Sequence, residues 1–219
     1  MTEEEKGKFI VIDGQGFSGK TTQSKLLSSR LSGIGIDHIQ TFHPGGIPET
    51  VALREEVLRR KKEEPDFTLL EEFGFFHRAL DILYHKLIVP ETANGKWIVL
   101  DRYWASPEVY QGGDGGLDKE MIREIAGSYE LQPDLSIFLS VSPETIIDRT
   151  VNSGRALHAY NQQDLETIDR RHRNYTEIAE RNTYGSWVIV DGNSQPALVH
   201  REVWKQVKSL MSADLVSSS

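Results

Sequence analysis

The 219-residue chain contains no cysteine. That excludes disulfides and thiolate metal sites and fits a reducing compartment. It also lacks long apolar runs, and none approaches the roughly 18–20 residues of a transmembrane helix. Positive charge is in deficit: 25 Lys and Arg stand against 33 Asp and Glu, for a formal net charge of −8. A broad surface for nucleic acid or an anionic membrane is therefore not expected. Met1–Lys6 is acidic with no apolar core, so no signal peptide is expected there and a cytoplasmic location is. No repeat or composition break divides the chain. One domain is expected over 1–219, with 1–7 and 212–219 as frayed tails.

The most informative stretch is Gly14-Gln15-Gly16-Phe17-Ser18-Gly19-Lys20-Thr21, directly after Lys8-Phe9-Ile10-Val11-Ile12-Asp13. It fits G-x-x-x-x-G-K-[ST], the phosphate-cradling loop. Glycines let successive backbone N–H groups turn toward anionic oxygens. The helix starting near Lys20 adds free N–H groups and the positive end of its dipole. Lys20 can reach the β- and γ-phosphates of a nucleotide, and Thr21 can offer a hydroxyl to Mg²⁺. The competing reading is an ordinary glycine-rich strand-to-helix turn. The apolar strand before the loop and the helical spacing after it weigh against that.

Short apolar strands are expected at 8–13, 37–42, 96–101, 134–141 and 187–191. Helices are expected from Lys20, and at 49–62, 66–86, 118–126, 143–152, 163–181 and 196–211. The aromatics of 66–86 read mostly as core. Gly112, Gly113, Gly115 and Gly116 mark a flexible loop. Alternating strands and helices predict an α/β fold: a P-loop-type five-stranded parallel sheet with helices on both faces. Ligands bind such sheets beyond the carboxyl ends of the strands. Asp13–Lys20, His43–Gly46, Asp101–Arg102 and Asp191–Asn193 fall at those ends. Asp101 is placed to hold Mg²⁺ with Thr21, and Arg102 can grip a phosphate bidentately. A strand-end ion pair is the plainer account of the Asp-Arg pair.

The sequence resembles the thymidylate kinase family over most of its length. The resemblance runs through Phe9–Thr22, Pro44–Gly46, Asn94–Tyr103, Ser106, Tyr110–Gly113, Pro133–Leu139, Pro143–Arg149 and Arg173–Ala179. It implies transfer of the γ-phosphoryl group of ATP to dTMP with Mg²⁺, giving dTDP, by a homodimer. It implies that Gly14, Gln15, Gly16, Phe17, Ser18, Gly19, Lys20, Thr21 and Thr22 bind ATP. Thr21 and Asp101 are the implied metal residues. Asp13, Phe76, Arg78, Arg102, Ser106, Tyr110 and Gln111 are the implied acceptor side, with Tyr110 disfavouring a 2′-hydroxyl. It further implies a short lid over residues 150–162 and catalysis by Lys20, Asp13, Arg102, Arg149 and Arg155.

The chain departs from the family pattern at several positions. Phe42-His43 stands where the family often has Arg-Glu. On the third helix the aligned positions hold Phe76 and Leu80, while Arg78 lies two residues from Phe76. Val151, Ser153 and His158 occupy positions where lid arginines occur, and Pro107 one where polar residues do. His43 reads as a loop residue at the site's edge. Three other readings stand beside the monophosphate kinase. A deoxynucleoside kinase would need a base at Asp13 and no phosphate grip from Arg102. A regulatory GTPase would need an Asn-Lys-x-Asp stretch, which is absent. A catalytically weak nucleotide-binding protein fits the thinned lid.

Overall fold

The computed structural model describes residues 6–153 and 164–217. The expected tail residues 1–5 and 218–219, the lid residues 154–162 and Arg155 lie outside the described residues. Five strands form one parallel sheet: β1 (Phe9–Asp13), β2 (His38–Phe42), β3 (Trp97–Asp101), β4 (Leu135–Ser140) and β5 (Trp187–Asp191). Their spatial order is β2-β3-β1-β4-β5. β1 is central, with Ile10 beside Val99 of β3 and Ile12 beside Ile137 of β4.

Strand alternation divides β1 between two cores. Phe9 and Val11 face one layer, made by α3 (Leu69–Leu83) and α6 (Lys119–Gly127) through Phe73, Leu80, Leu83, Ile122 and Ala126. Ile10 and Ile12 face the other, made by α1 (Lys20–Gly33) and α9 (Pro196–Ser217) through Leu27, Leu31, Val199, Val203 and Val207. Each of the Val, Leu, Ile and Phe side chains contributes about 1.5–3 kcal/mol on full burial. Apolar contact on both faces therefore holds the centre of the sheet, and with it the loop that follows β1. The remaining helices are α2 (Pro48–Glu63), α4 (Val89–Ala93), α5 (Ala105–Pro107), α7 (Pro143–Asn152) and α8 (Leu165–Glu180). Local chemistry starts several of them. Thr68 and Glu71 form a reciprocal capping box at α3, and the Ser142 hydroxyl caps α7 by accepting from Thr145 N–H.

Four sequence expectations need correction. The helix expected to stop at Lys86 continues through a wide turn at Tyr84–Ile88 into α4. Pro90 lies just after this turn, where the i→i−5 bond from Val89 N–H to Tyr84 O widens the helix next to a residue that has no N–H to donate. The Gly112–Gly116 stretch is not a free loop. α5 runs into a wide helical turn over Glu108–Asp114. A Cβ on Gly113 would lie 2.3 Å from Asn174 Nδ2, so this glycine serves close packing against α8. Gly7 is buried and donates its N–H to Thr92 O at 2.9 Å, so the ordered chain starts before residue 8. At the other end, α9 is helical to Ser217 rather than ending at Met211.

Candidate functional site

β1 delivers the chain to the loop, and α1 takes it away. Gly14 has φ 145° and Gly19 has φ 98°, values L side chains rarely adopt. Phe17 also sits in left-handed backbone, at φ 62°. Its ring packs on Val141, Ile146 and Ile168, which anchors the loop to α7 and α8. Lys20 is buried, and its ammonium donates to Gln15 O at 2.6 Å. Burial first, then the Arg102 charge, lowers its pKa to about 7 against the pull of Asp101 and Asp13. A phosphate would relieve that stress by supplying opposite charge.

The residues proposed for a metal do meet. Thr21 Oγ1, in the first turn of α1, donates to Asp101 Oδ2 at the end of β3 at 2.8 Å. Asp101 Oδ1 is buried and has no hydrogen-bond partner. An orphaned carboxylate oxygen beside a hydroxyl, one turn from a phosphate cradle, fits a hard cation or its water. Among the described residues no group of three or more His, Asp or Glu could hold a metal, so a cation here must share its other ligands with phosphate and water. Gln15 Oε1 and Ser18 Oγ are likewise buried without partners. A cavity of about 540 Å³ opens beside the loop, lined by Phe17–Gln23, Arg149, Ser153, Gly192–Pro196 and Val199. Thr22 lines it from α1.

Arg149 lies on the wall of this cavity. It donates to Phe17 O at 3.3 Å, Ser18 O at 3.4 Å, Gly192 O at 2.7 Å and Asn193 O at 3.3 Å. Its guanidinium thus braces the outer carbonyls of the loop against the turn after β5. These contacts hold the guanidinium against the backbone of the phosphate loop, at the wall of its cavity.

On the opposite side of the loop, Asp13 is a fully buried hub. Its Oδ1 accepts from Gly14 N at 2.8 Å, Ser106 Oγ at 2.9 Å and Tyr175 OH at 3.0 Å. Its Oδ2 accepts from Tyr103 N at 3.1 Å. Four protein donors thus fix the Asp13 carboxylate between the phosphate loop and the strand ends. Tyr175 was missing from the residues chosen on sequence. It arrives from α8, stacked on Phe138 at 5.3 Å, and Phe138 is the register partner of Asp13. Burial, then Asp13, raises the Tyr175 pKa, so its phenol stays a donor.

Arg102 follows β3 in left-handed backbone, at φ 74°. Its Nη1 donates to Ser106 Oγ at 2.9 Å and to Gly14 O at 3.3 Å. Burial works against its charge, but Tyr110, Tyr175, Asp13 and Asp101 outweigh it and raise its pKa. Tyr110 OH accepts from Gly16 N at 3.3 Å. The Tyr110 ring carries the Arg102 guanidinium at 5.3 Å and that of Arg171 at 4.5 Å. Arg171, also missed on sequence, is ion-paired to Asp114 together with Arg170. No local signal distinguishes it from the other arginines of α8.

The base side of the acceptor region differs more from expectation. Gln111 Nε2 donates to Glu72 Oε1 at 2.9 Å, and Glu72 is paired with Lys61 at 2.6 Å. Phe76 is half-buried and meets the His43 ring edge-on at 6.5 Å. Arg78 is exposed. Two residues turn a helix by roughly 200°, so Arg78 and Phe76 point to different sides of α3. Of the two acceptor-side residues expected on α3, Phe76 meets His43 and Arg78 lies on the exposed face. A larger cavity, about 740 Å³, lies between α3 and α6 around His77, Asp81 and Tyr129, and includes none of these groups.

A phosphate loop after the central strand, a hydroxyl–carboxylate pair across the next strand and a fixed arginine beside it define a P-loop phosphotransferase. The thymidylate kinase family model matches residues 12–203. Thymidylate kinase from Pseudoalteromonas translucida (strain TAC 125) is 33% identical over 200 residues, 90% of this chain and 94% of that protein. The enzyme from Colwellia psychrerythraea is 32% identical, covering 92% and 94%. The crystal structure of thymidylate kinase from Ehrlichia chaffeensis superposes with a TM-score of 0.75 at 25% identity, over 92% of this chain and 99% of that one. The chain belongs to the thymidylate kinase family.

Proposed function

We propose that this protein transfers the γ-phosphoryl group of ATP to dTMP, giving dTDP. The observation that carries it is the pairing of two half-sites around Asp13. Lys20, Thr21 and Asp101 lie on the donor side, and Arg102, fixed by Ser106, lies on the acceptor side. Phosphoryl transfer needs positioning and cations more than covalent chemistry. Gly14–Thr22 hold the donor phosphates, and Lys20 follows the transferred group. Thr21 and Asp101 would hold Mg²⁺, which would supply positive charge to the donor phosphates. Arg102 grips the acceptor phosphate and brings its oxygen into line. Tyr110, bonded to Gly16 N–H, stands between donor loop and acceptor and closes the space a 2′-hydroxyl would need. Phe76 offers the base an apolar wall.

Arg155 and residues 150–162 complete the reading as a lid that adds charge and excludes water. A single-domain cytoplasmic homodimer is part of the same proposal. Among the described residues no helix is long and apolar enough to cross a membrane. Light scattering tests the dimer, which predicts twice the monomer mass. The decisive assay follows ADP release from Mg-ATP with dTMP, dUMP, the other deoxynucleoside monophosphates and thymidine. dTMP should be the best acceptor. If no monophosphate raises ADP release above the rate without acceptor, the proposal fails.

A further inference from the structure

The end of β2 presents a group the reaction as described does not use. His43 N–H donates to Asp101 O at 2.9 Å, which joins it to the strand end that carries Asp101 and Arg102. Its side chain is only 4% exposed, and Nδ1 has no hydrogen-bond partner. Buried polar atoms are nearly always partnered, so an orphan beside a substrate site points to a partner on the substrate. The ring packs edge-on against Phe76 at 6.5 Å, with planes 80° apart. A neutral imidazole has one donor and one acceptor nitrogen.

The neighbours give that nitrogen a purpose. Phe76 is the apolar wall for the acceptor base. The next residue on the same face of α3 is Leu80, four positions on. It is 1% exposed, lies in the core and offers no hydrogen bond. Arg78 is turned to solvent. From α3 the base thus meets a flat apolar surface and no polar group aligned with it. A pyrimidine such as thymine carries an N–H flanked by carbonyl oxygens along one edge. A neutral imidazole answers either kind of atom, through whichever nitrogen it leaves protonated.

We propose that His43 reads the base edge of the acceptor nucleotide by a hydrogen bond from its imidazole, and so determines the base preference. This rests on the monophosphate kinase reading above. Phosphate grip stays with Arg102 and phosphoryl transfer with the loop. Loss of the imidazole should weaken acceptor binding and leave ATP handling alone.

The test compares wild type with His43→Phe, which keeps a ring, and His43→Asn, which keeps a donor and an acceptor. His43→Phe should raise the KM for dTMP about ten-fold, as expected for one lost hydrogen bond to a ligand. Its kcat and its KM for ATP should stay within about two-fold, and His43→Asn should recover most of the loss. A dTMP KM unchanged in His43→Phe overturns the inference. So does a parallel rise in the KM for ATP, which would mark His43 as packing alone. Independently of any variant, saturating dTMP should shift the imidazole nitrogen resonances of His43 in the labelled wild-type protein; unmoved resonances refute the contact. If wild type itself releases no ADP with any monophosphate, the kinase reading fails and this inference falls with it. An active wild type with an indifferent His43→Phe sinks only the inference.

Discussion

Replacing Asp13 by Asn isolates the hub that joins the two half-sites. In the native chain, three donors converge on Oδ1 and one on Oδ2. An amide can keep its oxygen toward Gly14, Ser106 and Tyr175, but its NH₂ then faces the Tyr103 N–H donor. That buried N–H loses its acceptor, at a cost of about 1–3 kcal/mol. The three bonds that remain lose their ionic acceptor, and each weakens by roughly 0.5–1 kcal/mol. Asn avoids the penalty of burying a carboxylate, which returns part of this. A net loss of about 3 kcal/mol corresponds to a fall in Tm of roughly 6–12 °C for a chain of this size. Calorimetric unfolding of wild type, Asp13→Asn, Tyr175→Phe and the double variant tests the argument. Tyr175→Phe alone removes one donor and should cost about 1–2 kcal/mol. In the Asp13→Asn background it should cost clearly less, because the groups share one network. A fall in Tm below about 3 °C for Asp13→Asn, or strict additivity in the cycle, would refute the hub.

Three further outcomes follow from the same geometry. Lys20→Ala should abolish ADP release while leaving the thermal midpoint unchanged or raised, since the ammonium is buried without a carboxylate bond; turnover near wild type would remove Lys20 from its role. Arg102→Ala should raise the KM for the monophosphate far more than that for ATP, and equal losses in steady-state kinetics would sink the acceptor-side assignment. The lowered Lys20 pKa gives a sign for pH dependence. Between about 7 and the ordinary lysine value of 10.5, the unfolded chain holds a proton that the folded one has released. Stability of the ligand-free protein should therefore rise with pH through that window, by at most about 1.4 kcal/mol per unit. Urea unfolding at pH 7, 8 and 9 should show a steeper rise for wild type than for Lys20→Met, and identical slopes would contradict it.

Much of this architecture is written locally. The strand ends expected at Asp13, Phe42, Asp101 and Asp191 are the observed ones; for the buried β1 and β3 this is because a doubly buried parallel strand must be a short apolar run bounded by polar residues. Ser142-Pro143 starts α7 where expected, since an N-cap hydroxyl and a proline at the first position act within one turn. The misread elements depend on distant partners. Gly112–Gly116 reads as loose until Asn174 and Leu69 close on it. His43 reads as a loop residue until the ring of Phe76 and the end of β3 bury it.

By itself the sequence determined the phosphate loop, the parallel sheet that presents it and the cluster of Lys20, Thr21, Asp101 and Arg102 at the strand ends. Those follow from periodicity and from motif chemistry, both of which act over a few residues. Only the tertiary structure decided what each polar group does once there. Asp13 is held by Tyr103, Ser106 and Tyr175. Arg149 turns to the loop's carbonyls, Arg171 stacks on Tyr110, and Arg78 faces solvent while His43 is buried beside Phe76. A side chain's role depends on which donors and acceptors the packed layers bring within about 3 Å of it, and that distance is set by contacts between residues far apart in the chain.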